Sequence, residues 1–276
     1  MAEGRRLGVA PLCAIDATPA EYISTAGAAG FDFVGIRLYP VTEADIRYTP
    51  GGREFAELRR IVAGSGVEVL DIEVFRMGAA TSRDDWMPTL EMGAELSASL
   101  VNVVGADPEL SRVADNIAAL TRDATPLGIT PVIEPIAYLP LDSYDRAVEI
   151  AIEAGCAVEL DGLHALRTGL DPNLVARHRE LFPVFQLCDA PAELRHWSDD
   201  RPPEARPQDE DMVIESRLNR LLPGLGDSPL RELLELIGPD VPIAVEVPNL
   251  ELQRIHDTAS YMRLLHEKTL SFLGAP

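Results

Sequence analysis

Eight short runs rich in Val, Ile and Phe, separated by longer stretches of helical period, constrain this chain more than any other feature. The runs fall at 7–11, 31–38, 67–74, 100–104, 130–134, 157–161, 184–188 and 243–247. A brief apolar run between turn residues reads as a buried strand, whereas apolar residues three and four apart read as one face of a helix. Strict alternation of the two is the mark of βα units and a parallel sheet. Amphipathic stretches at 54–63, 110–125 and 143–154 supply helices, and Gly30, Gly66, Gly128 and Gly155 stand where a left-handed helix stop precedes the next strand. Eight units within 276 residues predict an α/β fold, a (β/α)8 barrel, as one domain spanning 1–276. An open doubly wound sheet is the alternative. The chain after the first run reads VAPLCAIDATPA, without the GxGxxG that dinucleotide binding would require there.

One connection departs from the pattern. From Asp189 to Asp227 the chain is too long for an ordinary βα turn, and Pro202, Pro203, Pro207 and the acidic trio Asp209, Glu210 and Asp211 favour an exposed excursion. Because it leaves the seventh strand at the end where barrel active sites lie, residues 190–226 are expected to form a partial lid, with a solvated loop as the bland alternative.

Charge narrows the partners. The formal net charge of -21 repels nucleic-acid backbone and anionic lipid, so neither is expected as a partner. The N-terminal apolar stretch is broken by Pro11 and Asp16, and no run approaches the roughly 20 residues of a membrane span, which predicts a soluble cytoplasmic protein. Cys13, Cys156 and Cys188 lack metal or disulfide spacing and read as buried free thiols. Lys268, the only lysine, belongs to the last surface helix, so Schiff-base chemistry has no nucleophile.

The fifth to eighth runs read PVIEP, VELDGLH, VFQLCD and AVEVPN and place Glu134, Asp161, Gln186 and Glu246 near their C-terminal ends. Polar groups inside apolar strands carry a desolvation cost, and a shared cation would give all four a partner. Glu134, Asp161 and Gln186 are 27 and 25 residues apart, one βα unit each, and Glu246 follows after 60, the excursion making up the excess. Three carboxylates and an amide oxygen form a hard donor set, which points to one Mg2+ or Mn2+ ion and no organic cofactor. Singly, each is as readily a helix cap or ion-pair partner. Arg37 and Glu73 also stand where they would line the mouth, and the loops 39–52 and 77–86 where selectivity would lie.

The segments IEP, ELDGLHALRTG, FQLCDAP, RLLPGLGD and AVEVPN resemble the xylose isomerase-like TIM barrels, the sugar phosphate isomerase and epimerase group that also contains endonuclease IV, inosose dehydratase and 3-dehydroshikimate dehydratase. The resemblance covers nearly the whole chain. It implies metal ligation by Glu134, Asp161, Gln186 and Glu246, with Gln186 where the family usually has histidine, and it makes Glu134 and Glu246 the catalytic acid/base pair. It also implies substrate or metal contacts for His164, Asp189 and Arg217. From the residues alone, His164 serves equally as a helix cap, Asp189 as a turn residue and Arg217 as a surface ion pair. Gly224 and Gly226 before Asp227, Ser228 and Pro229 read as a capped helix start, a weak anion site because Asp227 occupies its field.

The implied reaction is isomerisation or epimerisation of a sugar or sugar-like hydroxy-ketone, a small polar molecule, through an enediolate. Dehydration of a cyclic hydroxy-ketone and a non-catalytic polyol- or metal-binding barrel are the alternatives. Endonuclease chemistry is the poorest, for want of a histidine-rich cluster and a basic groove. A homo-oligomer is left open.

Overall fold

The computed structural model describes residues 4–40, 45–198 and 200–274. Its strands are β1 (Leu7–Val9), β2 (Phe33–Arg37), β3 (Glu68–Met77), β4 (Leu100–Gly105), β5 (Thr130–Ile133), β6 (Ala157–Val158), β7 (Leu160–Asp161), β8 (Phe185–Leu187) and β9 (Ile243–Val245). All pair in parallel, in the order β6-β5-β4-β3-β2-β1-β9-β8-β7. The two ends of that order, β6 and β7, are separated in the chain only by Glu159, so the sheet returns on itself as the (β/α)8 barrel. Each run marked in the sequence contains a strand. The sixth is split at Glu159, and the third continues to Met77.

Helices fill the intervals: α1 (Pro19–Ala29), α2 (Arg53–Ser65), α3 (Arg83–Glu95), α4 (Leu110–Ala124), α5 (Tyr144–Ala154), α6 (Gly162–Thr168), α7 (Pro172–Arg177), α8 (Asp211–Leu218), α9 (Leu230–Ile237), α10 (Leu250–Ile255) and α11 (Thr258–Leu273). Ser143 caps α5 by accepting from the Arg146 N–H, and Gly155 ends it at φ 69°. Gly30, Gly66 and Gly128 are likewise left-handed stops. The predicted helix start at Asp227 is corrected. The helix begins at Leu230 after an uncapped Pro229, because the Asp227 carboxylate accepts from the Ala192 N–H at 2.8 Å and ties the excursion's two ends together. Among the described residues no helix is long and apolar enough to cross a membrane. Lys268 is exposed on α11 and the three cysteines are free and buried.

Two hydrophobic regions follow from strand alternation. One large cluster lies between strands and helices. A smaller one, Phe33, Leu70, Leu100, Val132, Ala157, Val184 and Ala244, draws one residue from each of seven strands or their immediate starts and plugs the barrel interior. In β1 the corresponding residue is Gly8, whose Cα faces the Phe33 ring so closely that a Cβ would sit 2.1 Å from it. Side chains two residues apart share a face of a strand. Two residues beyond Leu100, Val132, Ala157, Val184 and Ala244 stand Asn102, Glu134, Glu159, Gln186 and Glu246, all buried. An apolar floor therefore carries a polar layer.

On the third strand this parity shifts. Val34 pairs with Val69 but Gly35 with Asp71, so Leu70 is an extra residue, and the bulge turns both Leu70 and Asp71 inward. Gly35 makes room for Asp71 and Glu73: a Cβ there would lie 2.7 Å from Glu73 Oε1 and 2.9 Å from Asp71 Oδ2.

Candidate active site

The predicted ligands converge at the C-terminal mouth. Glu134, Asp161 and Glu246 each present a carboxylate oxygen, and these oxygens lie within 4.8 Å of one another. Gln186 is in register between Asp161 and Ala244. Its Oε1 is buried without a hydrogen-bond partner. With Glu134, Gln186 and Glu246, residues Arg37, Glu73, Arg76, Asn102, Tyr138, His164, Arg206, Arg217 and Arg220 line a cavity of about 340 Å³.

The interior is rich in carboxylates. Asp71, Glu73, Glu134, Glu159, Asp161 and Glu246 are all at most 6% exposed, and Arg220 is the one arginine or lysine buried to the same degree among the described residues. Some of the charge is removed by protons. Burial pushes Asp71 up to about 6 and Glu73 well above the usual carboxylate range, and a hydrogen bond joins the two carboxyls, which requires a shared proton. Burial, and then the charges of Glu246 and Asp161, push Glu134 up to about 8. Asn102 Nδ2 donates to Glu134 Oε2 at 2.9 Å and also to Glu159.

Arg220 follows α8 and enters the site from the excursion. Its Nη1 lies 2.6 Å from Asp161 Oδ2, 2.8 Å from Glu246 Oε2 and 3.2 Å from Cys188 Sγ. Backbone contacts fix its place: the Arg220 N–H donates to the Pro248 carbonyl, and Asn249 Nδ2 donates to the Arg220 carbonyl. Burial alone would raise Asp161, but the Arg220 charge and the His164 N–H outweigh it, so Asp161 is held below the ordinary range. Glu246 is raised by burial, an effect Arg220 opposes.

The fit to a hard divalent ion can be judged from these donors. After the guanidinium is counted, Glu134, Asp161 and Glu246 have a formal excess of two negative charges, and the Gln186 acceptor is unused. Three carboxylates and an orphaned amide oxygen suit such an ion. An ion there would share Asp161 and Glu246 with Arg220.

The three residues expected to touch substrate or metal are placed differently. His164 takes both of its readings: its N–H donates to the capping Asp161 carboxylate at 2.7 Å, and its ring stands in the cavity with Nε2 3.9 Å from Glu134 Oε1. Burial lowers it to about 4, so it is neutral, and Nδ1 accepts from the Ala137 N–H at 3.4 Å, which leaves the ring proton on Nε2. Asp189, expected as a substrate contact, is a correction. Its oxygens accept four backbone N–H groups, from Ala190, Gly224, Gly226 and Ser228, at 2.9 to 3.0 Å, and it fastens the PGLGD turn. Arg217 lines the cavity. The excursion residues Arg206 and Asp209 line it too. Of the two loops expected to hold selectivity, residues 41–44 lie outside the described residues, and the cavity lining draws on neither 45–52 nor 77–86.

The family model described as the xylose isomerase-like TIM barrel matches residues 23–266. The chain belongs to this family. No curated protein matches it. Among solved structures, a xylose isomerase-like TIM barrel/4-hydroxyphenylpyruvate dioxygenase fusion protein superposes with a TM-score of 0.74 at 20% identity, over 97% of this chain and 42% of that one, so this chain spans less than half of the fusion's length. The probable 3-DHS dehydratase AsbF of Bacillus anthracis, involved in petrobactin synthesis, gives 0.69 at 11% identity over 95% and 97% of the two chains. A D-allulose 3-epimerase from Methylomonas sp. in complex with D-allulose gives 0.64 at 14% identity over 98% and 96%. At such identities the likeness is one of fold.

Arg220, Asn102, Glu159 and Asp71 are site residues the sequence reading missed. For Asn102 and Glu159 the signal was available, since each lies two residues beyond a floor residue in its own apolar run.

Proposed function

We propose that this xylose isomerase-like barrel is a metal-assisted carbon-acid enzyme, an isomerase or epimerase of a small hydroxy-ketone. The observation that carries the reading is the buried, unpartnered Gln186 Oε1 beside three converging carboxylates at the base of the cavity. A divalent ion held by Glu134, Asp161, Gln186 and Glu246, with Mg2+ or Mn2+ the best match to oxygen donors, would acidify the carbon between two substrate oxygens.

The chain's own residues divide the proton work. Glu246, held by Arg220 at 2.8 Å, is the better candidate to remove the proton, and Glu134, which lacks a direct arginine contact and is pushed up to about 8, the better one to return it. Asn102 and His164 orient Glu134. The excursion 190–226 acts as a partial lid that limits water over the site, a role supported by Arg206, Asp209 and Arg217 in the cavity wall. Neutral His164, with its proton on Nε2, favours a second reading in which the deprotonated substrate loses a β-hydroxyl as water.

Product NMR in D2O, with a panel of ketoses and cyclic hydroxy-ketones and added Mn2+ or Mg2+, separates the two. Isomerisation or epimerisation places deuterium at the α-carbon without loss of mass, whereas an enone absorbance gives the lyase. Glu246→Gln is expected to lower kcat/KM by about a thousandfold. Turnover indifferent to that substitution, or to EDTA, would overturn the mechanism.

A further inference from the structure

The cavity has two electrostatic halves. Its base is acidic, but Arg76 near the end of β3, Arg206 in the excursion and Arg217 in the last turn of α8 stand in the same wall. Arg206 pairs with Asp209, Nη2 to Oδ1 at 2.8 Å, and the Arg217 charge acts on the same carboxylate from beyond ion-pair distance. The guanidinium groups of Arg76 and Arg217 make no hydrogen bond or ion pair among the described residues. Arg76 and Arg206 are exposed and Arg217 is half-buried, and the three stand close enough that partial burial, and then the charges of Arg217 and Arg206, lower the Arg76 pKa.

Such an arrangement runs against the rest of the molecule. With 45 acidic side chains against 24 basic ones, a carboxylate partner for either arginine would be easy to place, as Arg60, Arg112 and Arg146 illustrate on the surface. Two guanidiniums without an ion-pair partner, facing one small cavity, give its outer wall a positive potential that an incoming anion would meet. A ligand lying between the halves has to present neutral oxygens to the base and negative charge to the wall.

We infer that the substrate is a small hydroxy-ketone carrying an anionic group, a carboxylate or a phosphate, which Arg76 and Arg217 hold at the wall while its neutral oxygens face Glu134 and Glu246. The inference rests on the carbon-acid reading above and names its substrate class. Planar guanidinium forks suit either anion. A cavity of about 340 Å³, at the small end of ligand pockets, suits one ring or a six-carbon chain. Because Arg217 belongs to the excursion, the bound anion also draws the lid onto β3.

Calorimetric titration on the full chain with Mn2+, in the Glu246→Gln background so that no turnover intervenes, tests this with matched pairs. Quinate against myo-inositol tests a carboxylate, and fructose 6-phosphate against fructose tests a phosphate. The expected result is that the anion of one pair binds about ten- to a hundredfold tighter than its neutral partner, an advantage that shrinks with salt and disappears in the Arg76→Gln/Arg217→Gln double variant. Whichever pair shows the effect identifies the anion. Equal affinity within both pairs, no binding of either anion at millimolar concentration, or an advantage surviving the double substitution overturns the inference. Deuterium exchange into neutral ketoses alone would leave the carbon-acid reading standing while this one fails.

Discussion

At the scale of single residues, Arg220 shapes the site more than any other side chain. It is 2% exposed and bridges Asp161 and Glu246, so it is the positive charge around which two of the three converging carboxylates are arranged. Removing one member of a buried ion pair typically costs about 3 to 5 kcal/mol, because the partners are left uncompensated. Arg220→Met is therefore expected to lower the melting temperature in EDTA by several degrees. Added Mn2+ should raise it further than in the parent protein, since the ion then compensates both carboxylates alone. Scanning fluorimetry with and without the ion reads both effects, and an unchanged apo melting temperature would count against a structural role for this pair. None of this was legible beforehand. Glu134, Asp161, Gln186 and Glu246 stand out because a charged or amide group in an apolar strand is anomalous on its own, whereas Arg220 sits in a polar loop and reaches the site through a backbone contact with Pro248. Arg217, three residues earlier, was the visible choice, and it lines the cavity wall instead.

At the scale of elements, the excursion between β8 and α9 is a folded segment fastened at several points. Arg167 and Glu215 form a nearly buried ion pair, Nη2 to Oε1 at 2.5 Å, that holds α8 against α6. Asp189 gathers the following turn, where Gly226 is required because a Cβ would lie 2.4 Å from the Ala190 carbonyl. Asp189→Asn replaces one acceptor oxygen with an N–H2 group facing backbone donors. Faster hydrogen exchange is expected across residues 218–228, with the strands unchanged, and exchange no faster than in the parent protein would deny Asp189 its fastening role. The proline-rich, acidic sequence of this stretch announced its exposure but not its anchors, which lie far along the chain. The third strand was opaque for a different reason: the bulge at Leu70 switches the inward face midway, so a strict period of two assigns Asp71 outward.

At the scale of the whole molecule, alternation of strand and helix was sufficient for the barrel, because each apolar run is long enough for one strand and each interval for one helix. The proton content of the interior was not legible, since it depends on which carboxylates meet. It has a measurable consequence. Asp71 and Glu134 have folded-state values of about 6 and about 8, above their ordinary values of 3.8 and 4.5, so within those windows the folded chain binds protons that the unfolded chain does not. Stability conferred by such groups is complete below the unfolded values and is lost as pH rises through the folded ones. In EDTA the protein is expected to melt several degrees lower at about pH 9 than at about pH 5, and Asp71→Asn, which keeps a hydrogen bond to Glu73 without the shared proton, should flatten the slope. Melting curves across that range check the sign, and a rise in stability with pH would refute it.

The apolar floor beneath the polar layer also decides traffic. Phe33, Leu70, Leu100, Val132, Ala157, Val184 and Ala244 close the far end of the barrel, so the mouth that would admit a substrate would also be the way in for any ion held at Glu134, Asp161 and Glu246. A corridor with one door would impose an order of arrival on the proposed pair: an ion held at its base would have to enter before a guest that fills the doorway, and leave after it.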